Sequence, residues 1–131
     1  MWIIGELMDR LNINKKDYPA VFFHKPEEPD GYLSNWYPSS FLLDGIRFSS
    51  VEQYIMFEKC RLFGGPMIAR FVLETDDPKE QQKIGQSCPG YVGKIWSGKR
   101  QLVVERALMA KFTQDKKLKK MLLDTGDAYL V

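Results

Sequence analysis

The residues best placed to do chemistry in this sequence are Glu52 and Lys59. Glu52 closes the pattern Ser49-Ser50-Val51-Glu52, which is typical of a capping box at the start of a helix. Its carboxylate could therefore satisfy the Ser49 backbone N–H, or it could serve in acid–base chemistry and stabilise positive charge. Lys59 follows on the same face of the helix, about 10 Å along its axis, so both side chains could contact one elongated ligand.

Two local signals place Glu52 at the start of a helix. Asp44-Gly45 separates the short apolar segments 41–43 and 46–48, and an Asp-Gly pair in that setting predicts a two-residue hairpin turn. The capping box follows directly, and the helix is predicted to end near Gly64-Gly65-Pro66. A tight hairpin therefore leads into the helix that carries Glu52.

A second carboxylate would support hydrolytic chemistry, and the sequence offers three candidates. Asp44 is expected to serve the hairpin turn. Glu58 is rotated by about 240° from Glu52 around the helix and should face elsewhere. Asp127, near the end of the sequence, remains open.

The remaining pattern predicts an α+β fold: a mostly helical single domain with a small antiparallel sheet. Residues 1–19 have the spacing of an amphipathic helix and are interpreted as an N-terminal helical extension to a domain over residues 20–131. Further elements are predicted as strands at 20–23 and 129–131 and helices at 66–74, 78–86, 95–112 and 115–123.

Composition excludes several classes of function. The chain has 131 residues with a net charge of +2, so no strong overall field favours nucleic acid or a membrane surface. A basic segment of Lys111, Lys116, Lys117, Lys119 and Lys120 is either a solvated helix face or an attraction for phosphate. No apolar stretch approaches the roughly 20 residues of a membrane span.

Histidine and cysteine usage narrows the chemistry further. His24 is the only histidine, which excludes zinc sites built on histidine pairs. Cys60 and Cys88 are too far apart in sequence for a typical metal-binding pair, and we expect them to be reduced thiols in a cytoplasmic protein. Neither a metal nor a redox cofactor is predicted, so the chemistry should depend on carboxylates, amides, cations and aromatic rings.

Several sequence blocks, in order, resemble the YbiA/NADAR family of N-glycosidases. They are 31–38 (GYLSNWYP), 43–45 (LDG), 51–54 (VEQY) with Lys59, then Trp96, Arg106, 110–112 (AKF), 122–127 (LLDTGD) and 130–131 (LV). The resemblance implies hydrolysis of an N-glycosidic bond between a ribose phosphate, or ADP-ribose, and a base. Members act on early pyrimidine intermediates of riboflavin synthesis or on ADP-ribose attached to guanine.

The resemblance also implies roles for individual residues. Glu52 matches the position of the family's catalytic carboxylate, and Trp96 the position of a functional tryptophan. Ser34, Asn35, Tyr54, Lys59, Trp96 and Lys111 are the predicted substrate-binding residues. Each has an alternative: turn bonding for Ser34 and Asn35, core packing for Tyr54 and Trp96, and a solvated amine for the two lysines.

The expected function is therefore an N-glycosidase acting on a small ribosyl-phosphate or ADP-ribosyl substrate, with ADP-ribosylated nucleic acid as a possible substrate. The family pattern usually continues past the position of Val131 into a segment with Asp, Trp and Gly residues that contribute to the active site. The domain over 20–131 is accordingly expected to be C-terminally incomplete. The alternative is a module that binds ADP-ribose or a nucleotide without cleaving it.

Overall fold

A computed structural model describes residues 31–124, together with Ala20–Val21 and Tyr129–Leu130. The predicted N-terminal helix over 1–19, His24 and Asp127 lie outside the described residues. Five α-helices, one short 3-10 helix (Gly31–Leu33) and four short strands make up the described part. The strands are β1 (Ala20–Val21), β2 (Phe41–Leu43), β3 (Ile46–Phe48) and β4 (Tyr129–Leu130), and the helices are α1 (Val51–Phe63), α2 (Pro66–Leu73), α3 (Pro78–Gln86), α4 (Gly93–Gln114) and α5 (Lys116–Asp124). This confirms the α+β, mostly helical class.

The predicted hairpin is present as the antiparallel pair β2–β3, with Phe41 opposite Phe48. Asp44 and Gly45 both have positive φ, at 51° and 79°, as the type I′ turn requires. A second pair, β1 with β4, is parallel. The sequence did not predict that pairing, because its strands lie far apart in the chain and carry no local signal for each other.

The hairpin is attached to α4 by two side chains. The Gln114 amide takes the place of a neighbouring strand: its Oε1 accepts from Leu42 N at 2.8 Å, and its Nε2 donates to Leu42 O at 2.7 Å. Arg106 donates to both oxygens of Asp44, at 3.0 and 3.2 Å. Asp44 thus serves the turn, as expected, and also holds the hairpin to α4.

Helix α1 lies at the centre of the described fold and packs against α2, α3 and α4. Gly85 lets α3 approach it closely, because a Cβ at that position would lie 2.1 Å from Met56 Sδ. The helix ends agree with the predicted ones to within about two residues. Asp77 caps α3 through Lys79 N, and Asp115 caps α5 through Lys117 N and Leu118 N.

The core is formed by apolar residues from the segment 31–33, the hairpin and helices α1, α2, α4 and α5, and Ile84 of α3 packs against it. Its largest fully buried members include Tyr54, Phe41, Phe48, Phe112, Leu33, Leu108 and Leu122. Among the described helices, none is both long enough and apolar enough to cross a membrane.

Candidate functional site

The start of α1 differs from the predicted capping box by one residue. Ser50, not Ser49, is the N-cap, and its Oγ accepts from Gln53 N at 3.2 Å. Gln53 then reaches back, and its Oε1 accepts from Ser49 N at 2.6 Å. Ser49 and Ser50 could each serve chemically as the N-cap. Because Ser50 is the N-cap, the Gln53 side chain points into the fold. Of the two roles that the sequence left open for Glu52, satisfying the Ser49 N–H is excluded, because Gln53 accepts from that N–H instead.

Glu52 is instead held against the segment 34–37. Its backbone N–H donates to Asn35 O at 2.9 Å, and the Trp36 side chain lies near enough to its carboxyl group to lower the pKa of that group. The residue is only 8% exposed. These contacts hold the carboxyl group at the first turn of α1, and burial shields it from most of the solvent.

The pKa of Glu52 is raised above its ordinary value of 4.5, chiefly because burial disfavours the charged form. The positive charge of Arg100, the Trp36 side chain and the charge of Lys59 oppose this rise. A buried carboxyl group with two cations and one hydrogen-bond donor nearby is suited to proton transfer and to stabilising positive charge.

Ser34 organises the segment that holds Glu52. Its Oγ accepts from Trp36 N at 3.1 Å, which is the local turn bonding weighed for it from the sequence. Its carbonyl oxygen accepts from Lys111 Nζ at 3.0 Å and also from Tyr37 N at 3.2 Å. Asn35 follows, half-buried, with its backbone carbonyl bonded to Glu52.

Lys111 is a buried lysine, 1% exposed, that joins α4 to this segment. Burial lowers its pKa to about 7. Its Nζ lies 5.5 Å from the ring centroid of Tyr37 and 5.0 Å from that of Phe112, and these faces favour the protonated amine. In this arrangement the amine contacts the Ser34 carbonyl and two rings, which gives it a positioning role in the site.

Lys59 lies on the Glu52 side of α1, as predicted, and contributes to the positive field at that carboxyl group. Its Nζ lies 4.7 Å from the ring centroid of Tyr91, in the loop before α4. The lysine is only partly buried. It can therefore contact a ligand while the ring restricts its position.

Tyr54 and Trp96 are not brought to Glu52. Tyr54 is two residues further along α1, a rotation of about 200°, and its ring meets Phe48 edge-on with centroids 4.9 Å apart. Trp96 is buried and packs edge-on against Phe63 at 6.4 Å. Both line a separate cleft of about 300 Å³ between α1 and α4.

Sequence reasoning missed Arg100 and did not select Trp36 for the site. Arg100 lies one helical turn after Trp96, and that spacing is the only feature of the sequence that could have suggested Arg100 as a site residue. Trp36 belongs to the block 31–38 quoted above, but its position near Glu52 depends on how the segment 34–37 packs on α1. It also lines a cleft of about 540 Å³ with Ser39, Ser40, Arg47, Ser49, Ser50, Gln53 and others.

A carboxyl group in this setting is chemically capable of proton transfer and of stabilising positive charge, and the positive charges of Arg100 and Lys59 act on it. Among the residues that the structure describes, no three His, Cys, Asp or Glu side chains are grouped closely enough to hold a metal ion.

The described part is thus a small, mostly helical α+β domain with a buried carboxyl group at the first turn of α1. The chain belongs to the NADAR domain family, whose model matches residues 21–131.

Known proteins similar to this chain include two named for their activity or pathway. An N-glycosidase of Acanthamoeba polyphaga mimivirus is 30% identical over 119 residues, covering 85% of this chain and 70% of that protein. A riboflavin biosynthesis protein of Vibrio vulnificus is 28% identical over 110 residues, covering 84% of this chain but 29% of that protein. The NMR structure of E. coli YbiA has the same fold, with a TM-score of 0.76 at 24% identity over 93% of this chain and 70% of YbiA.

Proposed function

We propose that this domain is a hydrolase that cleaves the N-glycosidic bond of a substrate containing a ribosyl phosphate. The observation that carries the proposal is Glu52, a buried carboxyl group that is free of the helix cap, has a raised pKa and lies in the positive field of Arg100 and Lys59. Family membership and relatives named N-glycosidases support the same reaction class.

In the proposed reaction, Glu52 acts as its carboxylate. Departure of the base leaves positive charge on the ribose ring, and a carboxylate beside that ring stabilises the charge. The same carboxylate takes a proton from the attacking water, and its raised pKa makes it a better base than a free glutamate. Trp36 orients the carboxyl group, and Ser34 and Lys111 hold the segment that carries Trp36.

Substrate binding is assigned to the groups around Glu52. Lys59 and Arg100 would hold phosphate as positive charges, and Asn35, whose backbone carbonyl bonds to Glu52, is assigned to the sugar. Two substrate classes fit: a ribosylamino-pyrimidine phosphate of riboflavin synthesis, and ADP-ribose attached to guanine, either free or in nucleic acid. The two free thiols support a cytoplasmic location.

The test is release of free base, followed by chromatography, from a ribosylamino-pyrimidine phosphate and from ADP-ribosylated guanosine. We expect release from one of the two, and that result also identifies the substrate class. Release from neither would contradict the proposal.

A second candidate is a module that binds ADP-ribose without cleaving it. The two cations beside Glu52 favour it, since they would hold a phosphate whether or not a bond is broken. Saturable binding of ADP-ribose by calorimetry, with no base released from either substrate, would favour this candidate over the glycosidase.

A further inference from the structure

The two cysteines of the chain lie against each other. Cys60 is on α1 and Cys88 is in the loop between α3 and α4, and their Sγ atoms are 3.1 Å apart. Both are buried free thiols. A disulfide bond is about 2.05 Å long, so the two sulfur atoms need to move together by only about 1 Å.

The loop that carries Cys88 is tightly packed against α1. Gly90 lies on the end of that helix so closely that a Cβ there would be 2.5 Å from Phe63 O. Tyr91 packs edge-on against Phe63 with ring centroids 5.4 Å apart, and its ring also contacts Lys59. The proximity of the two sulfur atoms therefore belongs to a packed interface, not to a loop that stands apart from the helix.

We propose that Cys60 and Cys88 are a redox modification site that forms a reversible intramolecular disulfide with a small-molecule disulfide, such as oxidised glutathione, as oxidant. The Cys88 thiolate attacks one sulfur of the oxidant, which gives a mixed disulfide and releases one thiol. The Cys60 thiolate then attacks the Cys88 sulfur and expels the second thiol. Two protein thiols lose two protons and two electrons, and the oxidant is reduced to two thiols.

The order of attack follows from access. Cys88 is 7% exposed and Cys60 is 0% exposed, so an oxidant reaches Cys88 first. Burial, together with the neighbouring Cys88, raises the pKa of Cys60 to about 12. Cys60 is therefore the poorer initial nucleophile and acts as the resolving thiol.

The disulfide would fix the loop that carries Cys88 and Tyr91 to α1, beside Lys59. It would also close a chain segment between residues 28 apart, which restricts the unfolded chain and stabilises the fold. Oxidation therefore changes the stability of the domain and the freedom of the ring that covers Lys59.

The test treats the folded 131-residue chain with oxidised glutathione, quenches it in acid, and alkylates it with N-ethylmaleimide under denaturing conditions. Intact mass should show two adducts before oxidation and none after it, with two adducts restored by dithiothreitol. Peptide mapping should find residues 60 and 88 linked within one chain, and the oxidised chain should have a higher Tm.

Two matched variants test the order of attack. Cys60→Ala should retain one glutathione on Cys88, whereas Cys88→Ala should keep Cys60 as a free, alkylatable thiol. The proposal is overturned if both wild-type thiols stay alkylatable at every glutathione ratio, if the link forms between chains, or if it forms only after urea is added. These outcomes rest on wild-type chain, so they decide the question even if a variant does not fold.

Discussion

At the scale of single residues, environment decides the chemistry of Glu52 and Lys111. Both are buried, and burial shifts their pKa values in opposite directions: upward for the carboxyl group and downward for the amine. The two residues are linked through the segment 34–37, which accepts from the Glu52 backbone N–H through Asn35 O and from Lys111 through Ser34 O.

The pH dependence of catalysis should report Glu52. Because its pKa is raised above 4.5 and the reaction needs the carboxylate, kcat/KM should fall about tenfold per pH unit below a midpoint that lies above that value. Lys59→Met should move the midpoint higher still, since that cation lowers the pKa. A rate that falls as the pH rises through this region would instead make Glu52 the proton donor and contradict its role as base.

Lys111 should make stability depend on pH. Its pKa is about 7 in the folded chain, against the ordinary 10.5, so between these values the unfolded chain binds more protons and stability rises with pH. Urea unfolding of the wild type should show that rise between about pH 7 and pH 10. Lys111→Met should remove most of it, and an unchanged slope in this variant would show that other groups cause it.

Lys59 should contribute to substrate binding. Removing its charge with Lys59→Met should raise KM about tenfold, which corresponds to about 1.4 kcal/mol, and should change kcat less. Lys83→Met is the matched control, because that lysine is exposed on α3, with 66% of its side chain accessible. Equal KM values for the two variants would argue against a phosphate contact at Lys59.

At the scale of elements, local signals predicted the hairpin and the helix starts well. Asp44-Gly45, Asp77-Pro78 and Asp115 act through bonds within a few residues, and the structure has those turns and caps. The α1 cap was misplaced by one residue because two adjacent serines satisfy the same rule. The approach of Arg100 and Trp36 to Glu52 could not be predicted from local sequence signals, because it depends on how α4 and the segment 34–37 pack against α1.

The corrected cap makes Gln53 a structural residue. Its Nε2 donates to Val72 O and Thr75 O, at 3.1 and 3.0 Å, and it is buried. Gln53→Ala should lower the free energy of unfolding by about 2–3 kcal/mol, because the buried Val72 carbonyl group loses its side-chain donor and the Ser49 N–H loses its acceptor. Chemical unfolding can compare it with Gln82→Ala, on the exposed face of α3, which should change stability by less than about 0.5 kcal/mol. Similar values for the two variants would contradict this assignment.

At the scale of the whole molecule, α1 connects the features described above. Its first turn carries Glu52, and its second half carries Lys59 and Cys60. The hairpin precedes it, and α2, α3 and α4 pack around it. The net charge of +2 is small, so under the proposed function an anionic substrate would be attracted by the local charges of Lys59 and Arg100, which act on Glu52, and not by the overall field.

The central claim is that the Glu52 carboxylate performs the reaction. The measurement that tests it most directly is kcat/KM for base release by Glu52→Gln and Glu58→Gln, with Tm measured on both. Glu58 lies on the same helix but bonds to Arg61 at 2.6 Å, which makes it a matched control. We expect Glu52→Gln to lose a factor of about 10²–10⁴ without loss of stability and Glu58→Gln to stay near wild type. Equal rates in Glu52→Gln and wild type would contradict the claim.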